Sequence, residues 1–249
     1  MEERIVNEVE HGRFLAQHGA GEIWNWEGQA GRLRWERRVK MLSSHLCVGM
    51  NVLELGCGTG YFTRELAHSG AHIVAVDVSP ELLEVARAGC SPPNVSYEIQ
   101  NACAMTYRDS HFDSVVGSSV LHHLEIKEAL REIYRVLKPG GHFSISDIIL
   151  EGEIPDKWKE VAELHAGCIS GAIQKREYLE IIEEAGFKNM KLQKDKTILI
   201  PDEILSGYLS DEEIAEYKNS GTRIASITVY ADKPAKDDRN CCEPGSGCC

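Results

Sequence analysis

Short apolar runs alternate with longer amphipathic stretches through the middle of the chain. Runs at 51–55, 72–77, 95–99, 112–117 and 141–148 read as strands separated by helical patterns. That alternation is what a parallel α/β sheet requires. Helix signals fall between them. A helical pattern spans 61–67, and Ser79-Pro80-Glu81 places an N-cap, a first-turn proline and an early acid in succession. A third helix is expected over 125–137, stopped by Lys138-Pro139-Gly140-Gly141. Before the first strand, residues 3–46 read as helical, with a break at His18-Gly19-Ala20-Gly21. After the fifth strand, 151–171 fits an inserted helical or loop segment, and a helix over 175–185 ends on Gly186. Strands are expected at 187–192 and 224–230, with short acidic helices near 202–205 and 210–213 between them. From Lys233 the chain is polar, with no apolar face to bury, and a disordered tail is expected. There is no internal repeat.

The junction of the first strand with its helix carries the clearest chemistry. Val52-Leu53-Glu54-Leu55-Gly56-Cys57-Gly58-Thr59-Gly60 ends in glycines at alternate positions. Glycine admits turn angles and lets a ligand approach without a Cβ in the way. The next strand stops on Asp77, and an acid there accepts hydrogen bonds from ribose hydroxyls. Together they describe a pocket for a nucleoside-containing cofactor. A dinucleotide site would show G-x-G-x-x-G. Here the spacing is G-x-G-x-G, and Tyr61 stands where the last glycine would be. Glu54 beside the loop would repel a pyrophosphate but suits an ammonium group.

This segment resembles the first motif of the class I methyltransferases that use S-adenosyl-L-methionine. The resemblance implies a doubly wound, Rossmann-like α/β fold with a seven-stranded sheet, N-terminal helices and a small C-terminal insertion. It implies that Glu54, Gly56, Cys57, Gly58 and Gly60 hold the amino-acid end of the cofactor, and Asp77 with Val78 the ribose. The chain then divides into a helical lid (1–46), a cofactor-binding core (47–150), a substrate-side segment completing the sheet (151–232) and a Cys-rich flexible tail (233–249). Asn101, followed by Ala102, occupies the position where that pattern often has an acid for the adenine amine, and its carbonyl can accept the same bond. Ser118 falls near the methionine part. His122 and His123 read either as general bases or as a helix-start pair, one packed and one solvated, and the second, structural or positioning role is favoured. Trp24, Trp26 and Arg32 are candidates for a lid over the cleft, against the alternative of plain aromatic anchoring.

Composition narrows the partners. The chain has 249 residues, 43% of them hydrophobic, and a net charge of −12 with a pI near 5.3. An acidic surface disfavours nucleic acid and anionic membranes. No apolar run has transmembrane length, and Met1-Glu2-Glu3-Arg4 does not open a signal peptide, so a cytoplasmic protein with mostly reduced cysteines is expected.

The C-terminal half suggests the acceptor. Ser146-Asp147-Ile148 leads through Glu151-Gly152-Glu153-Ile154-Pro155 to His165-Ala166-Gly167-Cys168-Ile169-Ser170-Gly171-Ala172. This run looks like the arsenite methyltransferases, where the cysteine of G-C-[IV]-[SA]-G-A binds trivalent arsenic. The resemblance implies Cys168 as the catalytic, substrate-binding thiolate, a metalloid or other small-molecule substrate, and a thiol reductant. No resident metal is expected. Trivalent arsenic is thiophilic and wants two or three soft ligands. No cysteine lies between 168 and 241, so Cys57 and the pairs Cys241-Cys242 and Cys248-Cys249 are the candidate partners. Cys47, Cys90 and Cys103 read as buried or incidental thiols. Two alternatives stand beside arsenite: a methyltransferase acting on carbon, oxygen or nitrogen of a small metabolite, and a non-enzymatic protein that sequesters arsenic or metal.

Overall fold

The structure, a computed structural model, describes residues 2–18, 28–89, 91–153, 172–199, 202–207 and 209–235. Gly19–Gly21 of the expected break, Trp24 and Trp26, Cys90, Cys168 and the tail cysteines lie outside these residues.

Two helices, α1 (Glu2–His18) and α2 (Gln29–Ser43), precede the sheet. There follow β1 (Asn51–Leu55), a short α3 (Thr63–Leu66) running into a 3₁₀ turn, β2 (His72–Asp77), α4 (Pro80–Gly89), β3 (Val95–Ile99) and β4 (Phe112–Ser118). A 3₁₀ turn (Leu121–His123) leads to α5 (Ile126–Val136) and the long β5 (Leu137–Glu151). Then come α6 (Lys175–Glu184), β6 (Lys188–Thr197), α7 (Asp202–Leu205), α8 (Asp211–Asn219) and β7 (Arg223–Asp232).

The strand order is β3-β2-β1-β4-β5-β7-β6, with β1 to β5 parallel and β7 antiparallel to both neighbours. This is the expected doubly wound, seven-stranded sheet. The order reverses between β1 and β4, and in such sheets the crevice outside the carboxyl ends at that point receives the ligand.

Each face of the sheet carries its own core. One cluster joins Leu53, Leu55, Val115 and Ile145 to Leu130 and Ile133 of α5 and to Tyr178 and Ile182 of α6. The other joins Val52, Ile73 and Val116 to Leu42 of α2, Leu66 of α3 and Leu83 of α4. α5 shows why these residues make a helix: Ala129, Leu130, Ile133 and Val136 recur at the helical period and are all fully buried.

Several boundaries differ from expectation. The helix expected from 61 begins only at Thr63, because the glycine loop uses Tyr61 and Phe62 in its descent. β5 starts at Leu137 rather than Gly141. A register shift opposite Phe112/Ser114 and a left-handed Gly140 (φ 78°) let the strand absorb the Pro-Gly-Gly run. β6 continues through Lys194-Asp195-Lys196 to Thr197, five residues past the apolar run that announces it. Edge strands tolerate charged residues, which also block pairing with other chains.

Candidate active site

β1 delivers the chain to the crevice and the glycines turn it. Gly56 has φ +62°, and a Cβ there would lie 2.7 Å from Val120 Cγ2. Gly60, at φ +74°, would place one 2.9 Å from the Tyr97 hydroxyl. Both positions therefore need glycine for conformation and for space. The loop is tied to the next strand: Cys57 N donates to Val76 O at 3.0 Å, and Gly58 N donates to Asp77 Oδ2 at 2.9 Å. Asp77 Oδ1 accepts from Ser79 N at 3.0 Å. Burial raises the Asp77 carboxyl, while the backbone donors of Ser79, Gly58 and Val78 oppose that rise. Each oxygen keeps a second lone pair, so the oriented carboxylate can still accept from a ribose diol.

Glu54, on β1 just before the loop, is only 4% exposed. Its Oε2 is buried and has no hydrogen-bond partner among the described residues. Burial pushes its carboxyl up to about 8; the nearby Asp77 adds to this and Thr63 opposes it. A buried, orphaned carboxyl is costly, and a ligand ammonium is the partner that would satisfy it.

Other walls come from separate elements. Gln100 N donates to Asp77 O at 3.2 Å, which sets the end of β3 beside β2. Asn101 Oδ1 accepts from Cys103 N at 2.9 Å, so part of the carbonyl's capacity goes to its own turn. Ala102 is buried behind it. Val78, Asn101, Cys103, His123 and Glu125 line a small open cleft together with Arg4 and Glu8 of α1. Helix α1 spans this opening: Arg4 pairs with Glu125 at 2.8 Å, Glu8 meets His123 Nδ1 at 3.1 Å, and Arg13 pairs with Glu81 at 2.9 Å. At the other end, Arg38 Nη1 of α2 donates to Ser118 Oγ at 2.8 Å and to Ser119 Oγ at 3.3 Å.

The two histidines separate. His122 is buried, with Nδ1 against Asp147 of β5, and the Tyr178 hydroxyl donates to the other Asp147 oxygen at 3.3 Å. His123 is half-buried and held by Glu8. The cysteines separate too. Cys47 is exposed and Cys103 half-buried. Cys57 packs with Leu42, Leu66 and Ala75 on the core side of the loop. Burial first, then Glu54 and Asp77, push its thiol well above the ordinary range. Cys57 is a candidate soft ligand, and burial of this kind favours the neutral thiol over the thiolate that such a ligand needs. Its backbone remains part of the loop.

Glu54, the glycines, Asp77, Val78 and Asn101 thus converge on one side of the crevice, with Ser118 on the other. Arg4, Glu8, Arg38 and Asp147 were not singled out from sequence. Arg38 carried one signal, as part of the basic helical run 32–38.

An orphaned carboxyl for an ammonium, a glycine turn and a ribose-ready aspartate at the switch point define a class I S-adenosylmethionine-dependent methyltransferase. The sequence comparisons agree. A family model described as a methyltransferase domain matches residues 46–186, more than half of the chain, and the chain belongs to that family. It is 29% identical over 199 residues to an arsenite methyltransferase of Halobacterium salinarum, an alignment covering 76% of this chain and 48% of that protein. It is also 29% identical over 215 residues to the methyltransferase GfsG of Streptomyces halstedii, covering 78% and 77%. The chain spans about half the length of the arsenite methyltransferases it matches. Among solved structures, phosphoethanolamine N-methyltransferase 2 of Haemonchus contortus, in complex with S-adenosyl-L-methionine, shares the fold with a TM-score of 0.63 at 19% identity, over 80% of this chain and 53% of that one. No helix among the described residues is long and apolar enough to cross a membrane.

Proposed function

We propose that this protein transfers the methyl group of S-adenosylmethionine to trivalent arsenic, with the Cys168 thiolate as one arsenic ligand. The observation that carries this is the run Gly167-Cys168-Ile169-Ser170-Gly171-Ala172 and where it rejoins the fold. Directly after it, Ile173 O accepts from Leu150 N at 2.9 Å, and Gln174 bridges to the same residue at the carboxyl end of β5. That is the edge of the sheet where the cofactor crevice opens. The arsenite methyltransferases among its relatives support the same acceptor.

S-adenosylmethionine, when bound, supplies an electrophilic methyl and a thioether leaving group. This chain's residues would orient it: Glu54 would meet the ammonium, the loop amides the amino-acid end, and Asp77 would accept from the ribose. Arsenic held by sulfur keeps a lone pair, so no base is needed. That lone pair would take the methyl group as its bond to the sulfonium sulfur breaks, leaving a thioether and raising arsenic formally from +3 to +5. A thiol reductant returns it to +3 for release or a further round.

Methyl transfer to carbon, oxygen or nitrogen of a small metabolite is the second reading. The burial of Cys57 supports it, because burial disfavours the thiolate that a second arsenic ligand would need. An assay of purified protein with arsenite, a thiol and S-adenosylmethionine, beside a metabolite panel, decides between them. Methylated arsenic supports the first; a methylated metabolite with arsenite ignored supports the second.

A further inference from the structure

Toward α2, the half of the sheet beyond β4 is polar. Register places Ser118 of β4 opposite Ser146 of β5, Ser146 opposite Thr228 of β7, and Thr228 opposite Lys194 of β6. Cross-strand partners share a face. Ser146 and Thr228 are fully buried, with their hydroxyls 3.1 Å apart. Lys194 Nζ donates to Ser226 Oγ at 2.7 Å. At the other end of the row Arg38 reaches Ser118 from α2. A line of hydroxyls is thus bounded by two cations.

Charge here runs against the molecule as a whole, whose net charge is −12. Burial, and then the positive charges of Arg38, Arg37, Lys196 and Arg34, hold the Lys194 ammonium down to about 8. Clustered cations at a partly buried lysine cost free energy that an entering anion would offset. One turn before Arg38, and so on the same side of α2, the Trp35 indole nitrogen is buried with no hydrogen-bond partner among the described residues. A buried indole N–H usually finds an acceptor. Donors from α2 and β6 therefore gather on this part of the sheet.

We propose that the crevice between α2 and the β5–β7–β6 face binds an oxyanion of the methyl acceptor, a carboxylate or phosphate, through Arg38 and Lys194. This presupposes that the adjoining cleft is the methyl-transfer site and goes beyond the arsenic assignment, since it concerns a group remote from the methylated atom. An organic acid meets the requirement directly; arsenic meets it when it arrives bound to a carboxylate-bearing thiol.

The test uses the full chain saturated with S-adenosylhomocysteine, so that the cofactor's own carboxylate is already seated. Inorganic phosphate and succinate are then titrated calorimetrically into wild type, Lys194→Gln, Arg38→Gln and Lys194→Arg. At least one probe should bind wild type and weaken about tenfold or more in each Gln variant, as expected for a lost charged hydrogen bond. Lys194→Arg should retain binding, and Lys194→Gln should bind S-adenosylhomocysteine as wild type does, which shows that it is folded. Neither probe binding wild type, or equal binding to Lys194→Gln, overturns the subsite. Binding only to cofactor-free protein also overturns it, because the cations then serve the cofactor's carboxylate. Failure of S-adenosylhomocysteine itself to bind overturns the cleft assignment as well.

Discussion

Asp77 and Glu54 do opposite jobs a few ångströms from the same loop. Asp77 is oriented by two backbone donors, and its proposed role is to accept from the ribose hydroxyls. Losing a charged hydrogen bond to a ligand costs about 1.5–3 kcal/mol, so Asp77→Ala should weaken S-adenosylmethionine binding about tenfold or more. Calorimetry on folded variant checks this; unchanged affinity removes Asp77 from the site. Burial pushes the Glu54 carboxyl up to about 8, which favours the protonated form at pH 7. A ligand ammonium favours the ionised form and pulls its pKa down, so binding at pH 7 should release a proton. Affinity for S-adenosylhomocysteine should then rise between pH 6 and 8. Calorimetry in two buffers of different ionisation enthalpy counts the proton, and Glu54→Gln should abolish the release. The same shift acts on stability. The group is raised above its unfolded value of 4.5, so the folded state holds the proton longer and stability falls as pH rises from about 4.5 to 8. Both carboxylates could be singled out from sequence by their position at strand ends, and the structure shows Glu54 buried beside the loop and Asp77 tied to it. Arg38 and Asp147 were not: a helix outside the motif and a strand beyond it bring them in, and only tertiary packing does so. That Cys57 faces the core could not be read from spacing, which says nothing about the side of a loop that a thiol takes.

At the level of elements, the glycine loop and α1 set the entrance. Gly56→Ala would force a Cβ into the left-handed region, at about 1–2 kcal/mol, and against Val120 Cγ2 at 2.7 Å. A lower Tm together with weaker cofactor binding is expected from thermal melts with and without S-adenosylhomocysteine; an unchanged melt would mean that the loop readily rearranges. Helix α1 touches the cleft through Arg4 and Glu8 and anchors on α4 through Arg13. Deleting residues 1–18 should leave the sheet folded by circular dichroism and speed cofactor release in stopped flow. Release at the wild-type rate would show that α1 does not cover the ligand. Strand cores were readable from apolar runs, but their ends were not. β5 passes through Pro139 and two glycines by a register shift, and β6 extends into lysines because an edge strand needs little apolar surface.

The whole molecule divides its chemistry. The half that binds cofactor is written in a contiguous motif, and so its fold and cofactor could be read directly. The proposed acceptor side draws on α2, β5, β6 and β7, which are far apart in sequence, and their grouping emerges only in three dimensions; the Cys168 run lies outside the described residues. If the paired tail cysteines only concentrate arsenic, truncation after Pro234 should leave the rate at saturating arsenite intact and lower efficiency when arsenite is scarce. Loss of turnover at saturation would instead place a tail cysteine, such as Cys241 or Cys242, beside Cys168. The most direct test of the central claim is methyl transfer from labelled S-adenosylmethionine to arsenite with thiol present, in wild type and Cys168→Ser. The account predicts methylated arsenic from wild type and a collapse of that product in Cys168→Ser at unchanged cofactor affinity. Label appearing on an organic metabolite with none on arsenic, or full arsenic methylation by Cys168→Ser, would contradict it.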